Sequence, residues 1–351
     1  MKRFIIIILF MALFSCGQWR ISSLNSKRYA YIDNGNKAGN ISVMFDGYAL
    51  NNLSFDIRVL NDRICTADNN LTRLQILDSS GKPELIIGSS DNIDRKKVKT
   101  SEFKFSIIGK FTLDEDGNIY VQNRFIQKSK KGSNGKQVYF SPSYILVFDK
   151  EGKLQYTLGQ SGKPEIPFYY IESLDVDENE RLFVISKSFN TWKVFRFKGR
   201  KRDFYADMGK IDFTEKEDNN VYKGRIENIQ TYQSGDKILL AVAFYHGLRL
   251  KYTKVFSYSI KDEKIIKTVI NIPDPKNVLF NIVDDKYMYF WNNESKVIKF
   301  MICNFDGNII NNKLLYIKNK KDYYSRIIGD KSGKLFSYHV SKKGIEILNW
   351  E

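Results

Sequence analysis

After its first fifteen residues the chain reads as a succession of short apolar runs rich in Ile, Val, Phe and Tyr, each bounded by Asp, Asn, Gly or Lys. Some runs alternate apolar and polar positions, as in Phe55-Asp56-Ile57-Arg58-Val59; others are continuous, as in Ile145-Leu146-Val147-Phe148. Almost no stretch keeps its apolar residues at the i, i+3, i+4, i+7 positions of an amphipathic helix. The pattern therefore predicts an all-β chain.

One unit recurs six times: an apolar strand, a polar turn, and a second strand opening on Lys, Arg or Asn before an aliphatic or aromatic residue. It runs through Asn61-Asp62-Arg63-Ile64, Asp114-Glu115-Asp116-Gly117-Asn118-Ile119, Asp177-Glu178-Asn179-Glu180-Arg181-Leu182, Ser234-Gly235-Asp236-Lys237-Ile238, Asp284-Asp285-Lys286-Tyr287 and Asp330-Lys331-Ser332-Gly333-Lys334-Leu335. The residues closing these units lie 55, 63, 56, 49 and 48 positions apart, near the period of about 40–50 residues of propeller blades once loop insertions are allowed. A second turn follows in each unit, clearest in Asp78-Ser79-Ser80-Gly81-Lys82 and Asp149-Lys150-Glu151-Gly152-Lys153. The strands after these two turns end in Ile87-Gly88 and Leu158-Gly159. Gly and Asp suit hairpin turns, which need positive φ or a side chain bonded to its own backbone. The sixth copy has room for three strands before Glu351, and Ile41-Ser42-Val43-Met44-Phe45 lies unassigned ahead of the first. The expectation is a six-bladed β-propeller over residues 40–351, closed by that N-terminal strand so that no sheet edge is left open.

The N-terminus carries a different signal. Lys2 and Arg3 precede an apolar run from Phe4 to Phe14, the length of a signal-peptide core and short of the ~20 residues that span a bilayer. The run ends in Leu13-Phe14-Ser15-Cys16, which resembles the lipobox of bacterial lipoproteins. That resemblance implies a signal peptide over 1–15 and acylation of Cys16; residues 16–39, polar and rich in Asn, Ser, Gly and Lys, then read as a flexible tether. Several acyl chains on one cysteine hold a protein at a membrane where a single chain does not.

Lipobox and repeats together resemble the six-bladed, NHL-like propeller lipoproteins of spirochaetal cell envelopes, and are more distantly similar to BamB, the propeller lipoprotein of the machinery that folds outer-membrane β-barrels. The resemblance implies a location in the cell envelope, most naturally at the outer membrane, and partners among envelope proteins, the outer-membrane protein assembly complex included.

Composition narrows the chemistry. With 42% hydrophobic and 14% aromatic residues against 6 Pro, the chain is ordered. Two His and three Cys leave almost no material for zinc sites, Cys–His pairs or a disulfide framework. His246 and His339 have no metal-spaced partner, and Cys65 and Cys303, on different blades, read as buried thiols. No phosphate-cradling Gly-rich loop and no Gly-x-Ser-x-Gly elbow occurs, so neither a cofactor nor catalysis is expected. The net charge of +16 gathers in runs such as Lys198-Gly199-Arg200-Lys201-Arg202, which read as solvated faces; export makes nucleic acid an unsuitable partner. Two rival functions remain. Asp56, Glu172, Glu227 and Asn281 could supply a Ca²⁺-dependent hydrolase in the channel, and tyrosines with basic loops could read glycan or lipid. The favoured reading is a non-catalytic protein-binding scaffold. Its partner-binding residues are expected to be Tyr169, Tyr170, Tyr323, Tyr324 and Arg326, since rim tyrosines beside an Arg have the composition of a binding hot spot.

Overall fold

The computed structural model describes residues 21–46, 49–50, 54–91, 93–125, 130–131, 137–138, 143–159, 168, 170–188, 191–217, 219–294, 297–316 and 324–351. Its strands form six sheets of four or five members, with two further two-stranded ribbons, and the chain is a six-bladed β-propeller. The blades begin with the strands Phe55–Leu60, Ile107–Leu113, Tyr170–Val176, Asn220–Thr231, Val278–Val283 and Tyr324–Gly329, and all six of these line the central channel. Blade 2 shows the plan, running outward as Ile107–Leu113, Ile119–Arg124, Ser143–Phe148 and Leu154–Leu158, each antiparallel to the next.

The sixth blade is closed by an N-terminal strand, but an earlier one than the pattern suggests. Ser26–Asp33 runs antiparallel to Gly344–Trp350, with Ser26 opposite Trp350 and Asp33 opposite Gly344. Upstream of it, Ile21–Leu24 adds a parallel fifth strand to Ile309–Tyr316 of blade 5. Residues 21–33 are thus sheet rather than tether. Their disguise is physical: an outermost strand buries one face only, so in Ser26–Asp33 just Ala30 and Ile32 are buried while Ser26, Lys27 and Arg28 are exposed. Ile41 and Val43 are buried without joining that sheet; they pack with Ile57, Val59, Phe336 and Tyr338 at the seam between blades 1 and 6.

The core lies largely between blades, because each sheet is apolar on both faces. Phe183, Ile185 and Val194 of blade 3 meet Leu240, Val242 and Phe244 of blade 4. Phe168 stands edge-on to Phe195 at 5.3 Å, in a cluster that joins blades 2 and 3. Each fully buried Phe contributes about 1.5–3 kcal/mol.

Six of the turns share one device. Asp78 accepts the backbone N–H of Ser80 and Lys82 (both 2.9 Å), Asp149 that of Glu151 and Lys153, Asp177 that of Asn179 and Arg181, and Asn304 that of Asp306 and Asn308. Asp114 and Asp330 likewise accept from Asn118 and Lys334. A side-chain oxygen thereby satisfies donors that the tight loop takes out of the sheet ladder. The Gly88 and Gly159 ends of blades 1 and 2 have φ of +123° and +81°, and a Cβ there would lie 2.3 Å from the Thr72 carbonyl and 2.5 Å from the Phe168 ring.

Candidate functional site: the central channel

Four of the six inner strands carry a β-bulge at the same height: between Ile108 and Phe111, Ile171 and Ser173, Ile226 and Asn228, and Leu279 and Asn281. A bulge sets two residues against one on the neighbouring strand and re-aims the side chain that follows. With the unbulged strands of blades 1 and 6, the register places one channel-lining residue per blade in a ring: Asp56, Lys110, Ser173, Asn228, Asn281 and Arg326. Below it lie Arg58, Thr112, Asp175 and Gln230, around a cavity of about 670 Å³.

The ring is stitched from blade to blade. Arg326 Nη1 donates to Asp56 Oδ1 at 2.7 Å, joining blade 6 to blade 1. Arg58 Nη1 donates to the Phe111 carbonyl (2.6 Å), Asn228 Nδ2 to that of Leu279 (2.6 Å), and Asn281 Nδ2 to that of Asp330 (2.6 Å). At the turn end of the channel Lys331 of blade 6 reaches across to the Val176 carbonyl of blade 3. Ser173 Oγ donates to Asp175 (3.1 Å), and Gln230 Nε2 to Asn228 Oδ1 (3.2 Å).

Charge around the ring is segregated. Arg326, Asp56, Arg58 and Lys110 come from the consecutive blades 6, 1 and 2, whereas blades 4 and 5 contribute only amides at this level. Burial pushes the Lys110 ammonium below its ordinary pKa; Asp56 and Glu172 pull it back up, and Arg326 and Arg58 add to the depression. Among the described residues no carboxylate comes within ion-pairing distance of Lys110 Nζ, and that nitrogen donates no hydrogen bond.

Of the four residues considered for Ca²⁺, Asp56, Glu172 and Asn281 line the channel. Glu227 does not: it is the extra residue of the blade 4 bulge, and it meets Arg225 (3.1 Å) and the Tyr245 hydroxyl (3.3 Å) instead. The bulge sets Asn228, not Glu227, toward the channel, and a bulge likewise precedes Lys110. Among the described residues no three His, Cys, Asp or Glu side chains gather at metal-binding distance.

Of the five residues expected to bind a partner, Tyr169 and Tyr323 lie outside the described residues, as does Cys16. Tyr170 opens the inner strand of blade 3 and is 52% exposed. Tyr324 opens the inner strand of blade 6. Arg326, two residues on, lines the channel against Asp56. Cys65 and Cys303 are free and buried, and burial pushes both thiols up to about 12. His246 stands edge-on to Tyr222, and His339 meets the Ser337 hydroxyl.

No family model and no curated protein sequence matches the chain. Among solved structures it is similar to the Dos1 propeller (11% identity, TM-score 0.40, 95% of each chain). It is also similar to XC5397 of Xanthomonas campestris, a gluconolactonase (9%, 0.43, 95% of this chain and 92% of that one). A third is the β-propeller domain of Cps50 (Swd1) from Myceliophteria thermophila (8%, 0.46, 93% and 88%). At these identities the likeness is one of fold.

Proposed function

We propose that this chain is a non-catalytic protein-binding scaffold, anchored by lipid on Cys16 in a bacterial cell envelope, at the outer membrane, as an accessory to the assembly of β-barrel proteins. The observation that carries the non-catalytic reading is the charge of the channel. Arg326 sits on Asp56, and Lys110 lies within electrostatic range of both Asp56 and Glu172. Asp56, one of the carboxylates that a Ca²⁺-dependent hydrolase would need, is therefore already taken by a fixed cation.

The anchor acquires a geometry on this reading. Only residues 17–20 separate Cys16 from the strand Ile21–Leu24, a reach of at most about 18 Å. Blade 5 would therefore be held close to the lipid, leaving the tyrosines of blades 3 and 6 to meet partners: Tyr169, Tyr170, Tyr323 and Tyr324. Recovery of envelope proteins in mild detergent with the native anchor tests the scaffold. Tyr170→Ala should weaken it by about 2 kcal/mol at a true hot spot without lowering the melting temperature; a lowered melting temperature with recovery intact would make the ring a packing residue. Cys16→Ala should lose acylation and move to the soluble fraction, and unchanged membrane partition without lipid label would defeat the anchor. Ca²⁺ titration tests the rival: a saturable rise in melting temperature, abolished in Glu172→Gln, would favour the hydrolase.

A further inference from the structure

We propose that the central channel is a binding site for a small organic anion, whose carboxylate or phosphate group is taken by Lys110 and Arg58 on the side of the ring formed by blades 6, 1 and 2. The proposal does not rest on the scaffold reading.

Three observations carry it. First, the cavity of about 670 Å³ falls within the range of small-molecule sites, and every wall of it is polar at the level of the ring. Second, at and just below the level of the ring the sector of blades 6, 1 and 2 carries three cations, Arg326, Arg58 and Lys110, against one carboxylate, Asp56. The acidic residues that outnumber the cations over the whole lining lie on blade 3 and toward the turn end. Asp56 is engaged by Arg326 at 2.7 Å. Arg58 spends one N–H on the Phe111 carbonyl, and a guanidinium has five in a fork that matches carboxylate and phosphate oxygens. Among the described residues no carboxylate pairs with Arg58 within 4 Å, and Lys110 Nζ has neither ion pair nor hydrogen bond. A half-buried ammonium with no fixed partner is costly to the fold unless a ligand or solvent answers it.

Third, the opposite wall is built for the neutral part of such a ligand. Asn281 and Asn228 each spend one N–H on a neighbouring blade's carbonyl, which fixes their orientation and leaves each a second N–H. Gln230 Oε1 accepts nothing among the described residues. Blade 3 presents Glu172 and Asp175, which would repel an anion, and since Glu172 also acts on Lys110 the charged group would sit on the Arg58 side of Lys110.

The experiment titrates the full chain with succinate, with citrate and with inorganic phosphate by calorimetry at low salt, with glucose as the uncharged control. The expected result is saturable 1:1 binding of at least one anion and none of glucose. Lys110→Met should weaken that binding at least tenfold and Lys110→Arg should restore most of it, whereas Lys201→Met on the surface should leave it unchanged. Binding of a dicarboxylate but not phosphate would identify a carboxylate site, and the converse an oxyphosphate site. Acylation of lysines in the parent chain, read by mass spectrometry, gives an answer that needs no variant: saturating anion should protect Lys110 against the reagent and spare the surface lysines. No saturable binding of any of the three anions, or equal binding by Lys110→Met with Lys110 unprotected in the parent, would overturn the proposal.

Discussion

Arg326 and Asp56 stand 270 residues apart and meet at 2.7 Å, so that the first strand of the last blade is tied to the first strand of the first. Beside them, Lys334 Nζ donates to Asp62 at 2.6 Å, and the Tyr29 hydroxyl to the Asp62 carbonyl at 3.0 Å. All three contacts cross the seam where the ring closes, the one blade boundary with no short chain connection to hold it.

The Arg326–Asp56 pair should therefore couple to global stability. Its side chains are 44% and 21% exposed, and partly solvated pairs are worth about 0.2–1 kcal/mol. A double-mutant cycle with Arg326→Gln and Asp56→Asn, read by urea unfolding, should return a coupling energy in the upper half of that range. Additive effects of the two substitutions would mean that this pair does not hold the seam.

Truncation separates closure from decoration. Removing residues 1–25 takes away the parallel strand Ile21–Leu24, whereas removing 1–33 also strips Ser26–Asp33 from the last blade. The second deletion uncovers the edge of Gly344–Trp350 and loses the buried Ala30 and Ile32. Ile32 alone is worth about 1.5–3 kcal/mol, and an open edge invites aggregation. Calorimetry should show a modest loss for the first and a broad, low-temperature transition for the second. Equal melting of the two chains would refute closure by Ser26–Asp33.

The architecture was legible because turns recur more faithfully than strands do: Asp78, Asp114, Asp149, Asp177 and Asp330 hold their own loops, and six copies gave six blades. What could not be read lies where local pattern and tertiary position part. Ser26–Asp33 looks like a polar tether because its blade buries a single face of it. Lys110 and Asn228 follow bulges that no local pattern announces, and Glu227 is the extra residue of one of them. No local signal announces that Arg326 would meet Asp56, since the contact depends on the whole ring closing.

Gly88, at a strand end, and Gly199, in a turn, give a graded test of backbone requirement. Gly88→Ala would place a Cβ 2.3 Å from the Thr72 carbonyl oxygen at φ of +123°, where strain and collision add, and should cost about 3 kcal/mol. Gly199 has φ of +57°, and a methyl group added there would meet nothing within 4 Å, so Gly199→Ala should cost only the left-handed penalty, about 1 kcal/mol. Chemical denaturation of both variants reads the difference, and equal costs would mean that Thr72 gives way.

Cys65 and Cys303 offer a label-based report on opening. Burial pushes both thiols up to about 12, and the thiolate is the reactive form. At pH 8 a disulfide reagent such as DTNB should leave both unmodified in the folded chain and label both in urea. The rates between should follow local or global unfolding of blades 1 and 5. Prompt labelling of either in native buffer would show that its blade opens independently of the ring.

His339 should make stability depend on mildly acidic pH. Trp350 Nε1 donates to Ser337 Oγ at 2.9 Å, and that oxygen lies 3.2 Å from His339 Nε2. The Ser337 hydroxyl proton is then available to an unprotonated Nε2. Burial lowers the His339 pKa from its ordinary value, while Glu346 acts in the opposite sense. With the folded pKa below the unfolded one, the unfolded chain binds the extra proton first, so stability falls as pH drops through about 6.5 toward the folded value. His339→Asn should remove this contribution, and the free-energy difference between parent and variant, followed from pH 7.5 to 5, should shift against the parent. A difference constant across that window would mean that Glu346 offsets the burial completely and that His339 titrates alike in the folded and unfolded chains.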